Sequence, residues 1–259
     1  MTAGEATVEA TTTEQRRAAL EAIAAEVRAC SRCKLAQGRT KAVPGEGHPD
    51  TEVLFVGEGP GQTEDAQGRP FVGRAGELLV RLLASIGWRR HEVFITNIVK
   101  CRPPGNRDPE PDEIAACAPY LQRQLEVLDP AVVVTLGRFS MAHFRPGERI
   151  TQIHGTHAPA PDSTGARDAL AYALFHPAAA LRSPDVERQS YDDIARLPRV
   201  LTEARARRSS LRTAAPGPTE AASTDAGSAR TAPPPAVAPE LLSAQGPAPE
   251  LGDDAPTLF

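Results

Sequence analysis

Four short apolar runs recur along the chain: Val53–Val56, Glu92–Val99 (EVFITNIV), Ala131–Leu136 (AVVVTL) and Ala169–Phe175. The first three are rich in β-branched residues, and all four are short apolar runs bounded by polar or Gly/Pro segments, the pattern of a strand buried on both sides. The stretches between them carry apolar residues at helical spacing. Residues 13–29 place Leu20, Ile23, Ala24 and Val27 on one face, and Ala75–Gly87 places Leu78, Leu79, Leu82, Leu83 and Ile86 on another. Pro111–Leu128 predicts a third helix, with Pro111 suited to a first turn and Asp112 and Glu113 near its positive end. A short helix is expected from Arg138, and a basic one over 187–207, interrupted near Pro198. Alternating strand and helix predicts a mostly parallel four-stranded sheet with helices on both faces, a single three-layer α/β/α domain.

The chain ends read differently. Residues 209–259 hold nine of the 25 prolines and twelve alanines, and lack Ile, Met, Trp, Tyr and Cys. Such a segment buries too little apolar surface to offset its ordering entropy. We expect disorder over 1–12 and 209–259 and a folded domain over 13–208. The net charge of −4 comes from these ends, because residues 26–208 carry 25 Lys and Arg against 23 Asp and Glu. A mildly basic domain permits nucleic-acid binding through a local patch without demanding it. No apolar run is long enough for a membrane span. The first residues are acidic and Thr-rich, so no signal peptide is expected and a cytoplasmic location is.

The first strand leads into GEGPGQTEDAQGRPFVG (57–73). This is not a phosphate cradle. No Lys-Ser/Thr pair follows Gly61, Pro60 lacks a donor, and Glu58, Glu64 and Asp65 would repel a pyrophosphate. Every strand ends in an unusual polar segment: this loop, then Thr96-Asn97, Leu136-Gly137 and Phe175-His176-Pro177. Parallel strands share one carboxyl edge, and ligands bind there. Glu58, Asn97 and His176 are therefore expected to converge, with Phe71 reaching the same edge. Such a set suits a planar heterocycle. Phe71 would stack on its face, and the Asn97 amide would offer an acceptor beside a donor, the complement of uracil. Taken singly, Asn97 also reads as a turn residue, His176 as a satisfied histidine before a proline turn, and Phe71 as core.

Cys30 and Cys33 form a C-x2-C pair, while Cys101 and Cys117 stand far downstream. A reduced compartment argues against structural disulfides. Four thiolates favour a metal site, but their spacing does not choose between zinc and an iron–sulfur cluster.

The stretches CSRCKLAQGRTKAVPGEG (30–47), GEGPGQTEDAQGRPFVGRAGELL (57–79), TNIVKCRPPGNRDPEPDEI (96–114) and FHPAAALR (175–182) resemble family 4 uracil-DNA glycosylases, the iron–sulfur branch of that superfamily. The resemblance covers about residues 26–200. It implies the α/β fold of that superfamily and a [4Fe–4S] cluster on Cys30, Cys33, Cys101 and Cys117. It implies release of uracil from DNA by cleavage of the N-glycosidic bond, leaving an abasic site, in base excision repair. Phe71 resembles the base-stacking ring, Asn97 the uracil-reading amide and His176 the donor to uracil O2. Gly57, Glu58 and Gly59 occupy the family's water-and-base loop. Glu58 is the first candidate to orient or deprotonate water, and Asp65 the second. Arg74, Lys100, Arg102, Arg107 and Arg182 are candidate phosphate contacts, or alternatively solvated or ion-paired surface groups.

His154, in RITQIHGT (149–156), stands where arginine is common in family 4, and a related branch uses a nearby histidine as a covalent nucleophile. That gives an alternative, a covalent trap for uracil-DNA. A non-catalytic sensor of uracil in DNA and an iron–sulfur redox protein are others. The terminal Leu258-Phe259 suggests either a free end or a docking peptide for a sliding clamp. A monomer is expected.

Overall fold

A computed structural model describes residues 12–214. The strands are β1 (Glu46–Gly47), β2 (Val53–Gly57), β3 (Phe94–Asn97), β4 (Val132–Leu136), β5 (His157–Pro159) and β6 (Leu170–Leu174). The helices are α1 (Thr13–Ala29), α2 (Leu35–Gly38), α3 (Gln62–Gln67), α4 (Arg74–Ser85), α5 (Pro111–Leu128), α6 (Arg138–Phe144), α7 (Ile150–Ile153), α8 (Pro177–Ala180), α9 (Pro184–Ile194) and α10 (Leu197–Ala214). They enclose one sheet in the order β1-β3-β2-β4-β6-β5.

The four expected strands are its central four, all parallel. The sheet has six strands rather than four, because β1 and β5 add antiparallel edges. Segments of two and three residues are too short to show a hydrophobic period. Every residue of β2, β3, β4 and β6 is buried. Alternate side chains feed two layers. Val53, Phe55, Ile95, Val132 and Val134 pack with α4, α9 and α10. Leu54, Val56, Phe94 and Val133 pack with α1 and α5.

Local chemistry sets the helix limits. Thr12 and Gln15 form a reciprocal capping box at the start of α1. Pro111 opens α5, where the Glu113 carboxylate accepts from the Glu110 N–H at 2.8 Å. Two expectations need correction. The strand over 92–99 shortens to 94–97, since Arg90–Glu92 form a 3-10 turn. The basic segment is interrupted near Pro198 as expected: α9 ends at Ile194 and α10 begins at Leu197, with Pro198 in its first turn. That helix continues to Ala214, six residues past the expected boundary at 208. The remaining expectations for 1–11 and 215–259, including the Leu258-Phe259 peptide, lie outside the described residues. Among those described, no helix is long and apolar enough to cross a membrane.

The long loop after β2 is built rather than loose. It contains α3, and its exit turns sharply at Phe71, whose φ is +48. Helix α4 starts directly behind that turn, where a Cβ on Gly76 would fall onto the Phe71 carbonyl oxygen. Gly76→Ala should therefore cost about 1–3 kcal/mol, the usual range for overpacking. A chemical-denaturation midpoint no lower than that of the wild type would contradict this close approach.

Candidate active site

The pocket is assembled by register. β2 and β3 pair so that Gly57 lies opposite Asn97. The pairing runs on past the strands, with Ile98 N–H donating to Gly57 O at 2.9 Å and Val99 N–H to Glu58 O at 3.0 Å. A Cβ on Gly57 would overlap Asn97 Oδ1 and come within 2.6 Å of Phe71 Cζ. Glycine is required there because the amide and the aromatic ring both occupy that space. On the other side of β2, Gly137 (φ +87) follows β4, and a Cβ on it would meet His176 Cβ at 2.9 Å. The rings of Phe71 and His176 lie 5.7 Å apart at 34°. Phe71, Asn97 and His176 thus meet at one sheet edge, as their positions after three separate strands lead one to expect.

Asn97 is 1 % exposed, and its Oδ1 is buried without a hydrogen-bond partner among the described residues. An orphan buried acceptor costs about 1–3 kcal/mol, so the site holds in reserve a demand for an N–H donor. His176 is half-buried and caps α8, its Nδ1 accepting from the Ala178 N–H at 3.1 Å. That bond requires a bare Nδ1 and leaves the proton on Nε2. Burial, aided by the Arg182 charge and opposed by Glu64, pushes the imidazole down to about 4. At neutral pH His176 is a neutral Nε2–H donor. Burial acts in the opposite direction on Glu58. Burial and the Asp108 carboxylate, opposed by Arg138, push it up to about 7.

The Phe71 ring is held through its backbone. Arg90 Nη1 donates to Phe71 O at 2.9 Å, and its Nη2 donates to Pro70 O and, at 2.8 Å, to Glu46 Oε1. Glu64 Oε1 accepts from the N–H groups of Val72 at 2.9 Å and Gly73 at 2.8 Å. None of these clamps was picked out from the sequence. An acid in a Gly-rich loop that binds no anion was the available signal for Glu64.

Several expected roles change. Lys100 is 1 % exposed, with Nζ bound to Thr96 Oγ1 (2.6 Å), Gln124 Oε1 (2.7 Å) and Asn97 O (2.8 Å). It cannot reach a phosphate. Arg107 spends its guanidinium on the fully buried Glu113 carboxylate, at 2.7 and 2.9 Å. Asp65 is 5 % exposed and accepts the Thr40 N–H on both oxygens, at 2.9 and 3.1 Å, which leaves it unavailable to a water. Arg102 donates to Asn106 Oδ1 at 2.8 Å. Arg74 and Arg182 are exposed and have no ion-pair partner among the described residues. His154 is bound through Nδ1 to Asp193 Oδ2 at 2.7 Å and packs on Phe175 at 4.4 Å between ring centroids.

The four cysteines are free thiols and line one cavity with Val27, Arg39, Lys100 and Tyr120. Two sulfurs already accept N–H groups: Cys101 Sγ from Arg39 Nη1 at 3.2 Å and Cys117 Sγ from the Lys100 backbone at 3.2 Å.

A profile of the uracil DNA glycosylase superfamily matches residues 44–196, more than half of the chain. The chain belongs to that superfamily. Within it, the chain is similar to proteins named type-4 uracil-DNA glycosylase. One from Sulfurisphaera tokodaii is 47 % identical over 69 % of this chain and 83 % of its own. One from Saccharolobus solfataricus is 45 % identical over 71 % and 87 %. One from Thermotoga maritima is 44 % identical over 68 % and 91 %. The superfamily match spans all six strands and leaves out the amino-terminal arm that carries Cys30 and Cys33.

The raised Glu58 carboxyl makes a stability prediction. Its folded value of about 7 exceeds the ordinary 4.5, so between those values the folded chain binds more protons than the unfolded chain. Stability should fall as pH rises through that window, and the penalty should be complete above about 7. Glu58→Gln should raise Tm at pH 8 and lose that advantage toward pH 4.5. An equal or lower Tm at pH 8 would contradict the half-buried position of this carboxylate.

Proposed function

We propose that the chain is a uracil-DNA glycosylase, hydrolysing the N-glycosidic bond of a flipped-out deoxyuridine to give free uracil and an abasic site. The observation that carries this reading is the partnerless Asn97 Oδ1 beside the Phe71 ring and the His176 Nε2–H. Uracil supplies an N3–H to Oδ1 and a C4 carbonyl to the Asn97 amide N–H, while Phe71 stacks on its face. Cytosine presents a lone pair at N3 and an amino group at C4, leaving the buried amide opposed on both atoms. Such a mismatch at a buried polar group supports discrimination of the order of 10⁴.

Flipping costs a few kcal/mol, offset by these contacts. The bond to C1′ then breaks with its electron pair leaving on uracil. His176, neutral and with its proton fixed on Nε2, donates to the O2 that becomes negative, a contribution of about 3 kcal/mol in the transition state. Glu58, pushed up to about 7, is half ionised near neutrality and orients or deprotonates the water that adds to C1′. Arg74, Arg182 and Arg102 are the proposed phosphate contacts.

Cys30, Cys33, Cys101 and Cys117 are the proposed ligands of a [4Fe–4S] cluster. Four thiols on one cavity, with N–H donors already aimed at two sulfurs, fit a thiolate-held group. Among the described residues no three His, Cys, Asp or Glu side chains stand close enough to hold a single ion, whereas a four-iron cluster gives each thiolate its own iron. When bound, the group would join the arm carrying Cys30 and Cys33 to the loop and helix carrying Cys101 and Cys117, with no part in bond cleavage.

A second reading has one observation in its favour. With Asp193 Oδ2 accepting from Nδ1–H, the neutral His154 ring keeps a free lone pair on Nε2, the form a covalent nucleophile needs. A uracil-DNA adduct that survives denaturation and disappears in His154→Ala would establish it in place of hydrolysis.

Incubation with a uracil-containing oligonucleotide, followed by alkali and a denaturing gel, should show cleavage at uracil. His176→Ala should lower kcat by 10²–10³ and Glu58→Gln by less. In the wild type kcat should rise with pH to a plateau above about 7, and Glu58→Gln should abolish that limb. Uncut DNA would end the glycosylase reading, and a Glu58→Gln defect exceeding that of His176→Ala would reverse the two roles. Neutralising Arg74 or Arg182 should reduce the salt dependence of DNA binding by about one ion each. An unchanged slope would remove them as phosphate contacts.

A further inference from the structure

Lys100 is buried, positively charged in form, and contacts no carboxylate among the described residues. Its three N–H bonds all go to neutral oxygens, one from the Asn97 backbone, one from Thr96 and one from helix α5 through Gln124. The acceptors are themselves tied together. Thr96 Oγ1 donates to Pro44 O at 3.0 Å and Gln124 Nε2 donates to the same oxygen at 2.7 Å. Lys100's own carbonyl accepts from the Val43 N–H at 2.7 Å. The residue also lines the cysteine cavity, where its backbone N–H donates to Cys117 Sγ. One residue therefore joins the end of β3, the segment 43–44, α5 and the cavity.

An ammonium ion is costly to bury, so a site that keeps one in place of a methionine is using its directional bonds. What those bonds fix is the Asn97 carbonyl, on the same residue whose Oδ1 has no partner. We infer that Lys100 is a positioning residue for base recognition: it holds the Asn97 backbone so that the amide faces the pyrimidine edge. This rests on the reading of Asn97 as the uracil-reading amide.

The test is a double-mutant cycle of Lys100→Met with Asn97→Ala, read by kcat/KM on a uracil oligonucleotide, by calorimetric binding of free uracil, and by iron content. If Lys100 acts through Asn97, Lys100→Met lowers kcat/KM and uracil affinity by about 10–100-fold, keeps its iron, and costs less than about 3-fold more in the Asn97→Ala background. Equal factors in both backgrounds, unchanged uracil binding, or activity lost together with iron would overturn it. Should Lys100→Met fail to fold, Gln124→Met removes one of the three acceptors and is put through the same cycle. Uracil binding keeps the two readings apart. A wild type that binds uracil but releases none refutes the glycosylase activity, and the cycle on binding alone still decides the role of Lys100.

Discussion

The pairing of β2 with β3 is the constraint from which the site follows. With Gly57 opposite Asn97, the amide and the Phe71 ring share the space a Cβ would take. Because side chains alternate along a strand, a slip of one residue would send Asn97 to the other face. Two apolar layers hold that register from both sides, and the continued hydrogen bonds from Ile98 and Val99 hold it beyond the strands. The pocket is thus a consequence of how the sheet is packed.

Partial removal from water sets two titratable groups apart. Burial disfavours charge of either sign, so it raises Glu58 and lowers His176. Neighbours reinforce both directions, Asp108 on the carboxyl and Arg182 on the imidazole. The N-cap bond from Ala178 then settles which nitrogen of His176 carries the proton. A donor that stays neutral and a carboxylate that ionises near neutrality suit a reaction in which charge develops on the base and on the sugar in opposite senses.

The central strands, the helices around them and the meeting of Phe71, Asn97 and His176 were legible in the chain, since long apolar runs and polar strand ends report burial and edge directly. The edge strands were not, being too short for a period. Charge alone misled at Lys100 and Arg107. A basic residue beside Cys101 looks like a phosphate contact, and only three dimensions show that one is sealed inside and the other is matched by a buried Glu113. The clamps on the Phe71 backbone were hidden for the same reason, since Arg90 and Glu64 lie 19 and 7 residues from the ring they serve.

The two layers of the core divide the labour of the pocket. Phe71 belongs to the layer with α4, α9 and α10, and the cysteines to the layer with α1 and α5. The Phe71 ring and the thiol cavity thus belong to opposite faces of the sheet, and Lys100, just past the carboxyl end of β3, bonds the Asn97 carbonyl and lines that cavity. Oxidation at the sulfurs would therefore fall on the face of the sheet away from that ring.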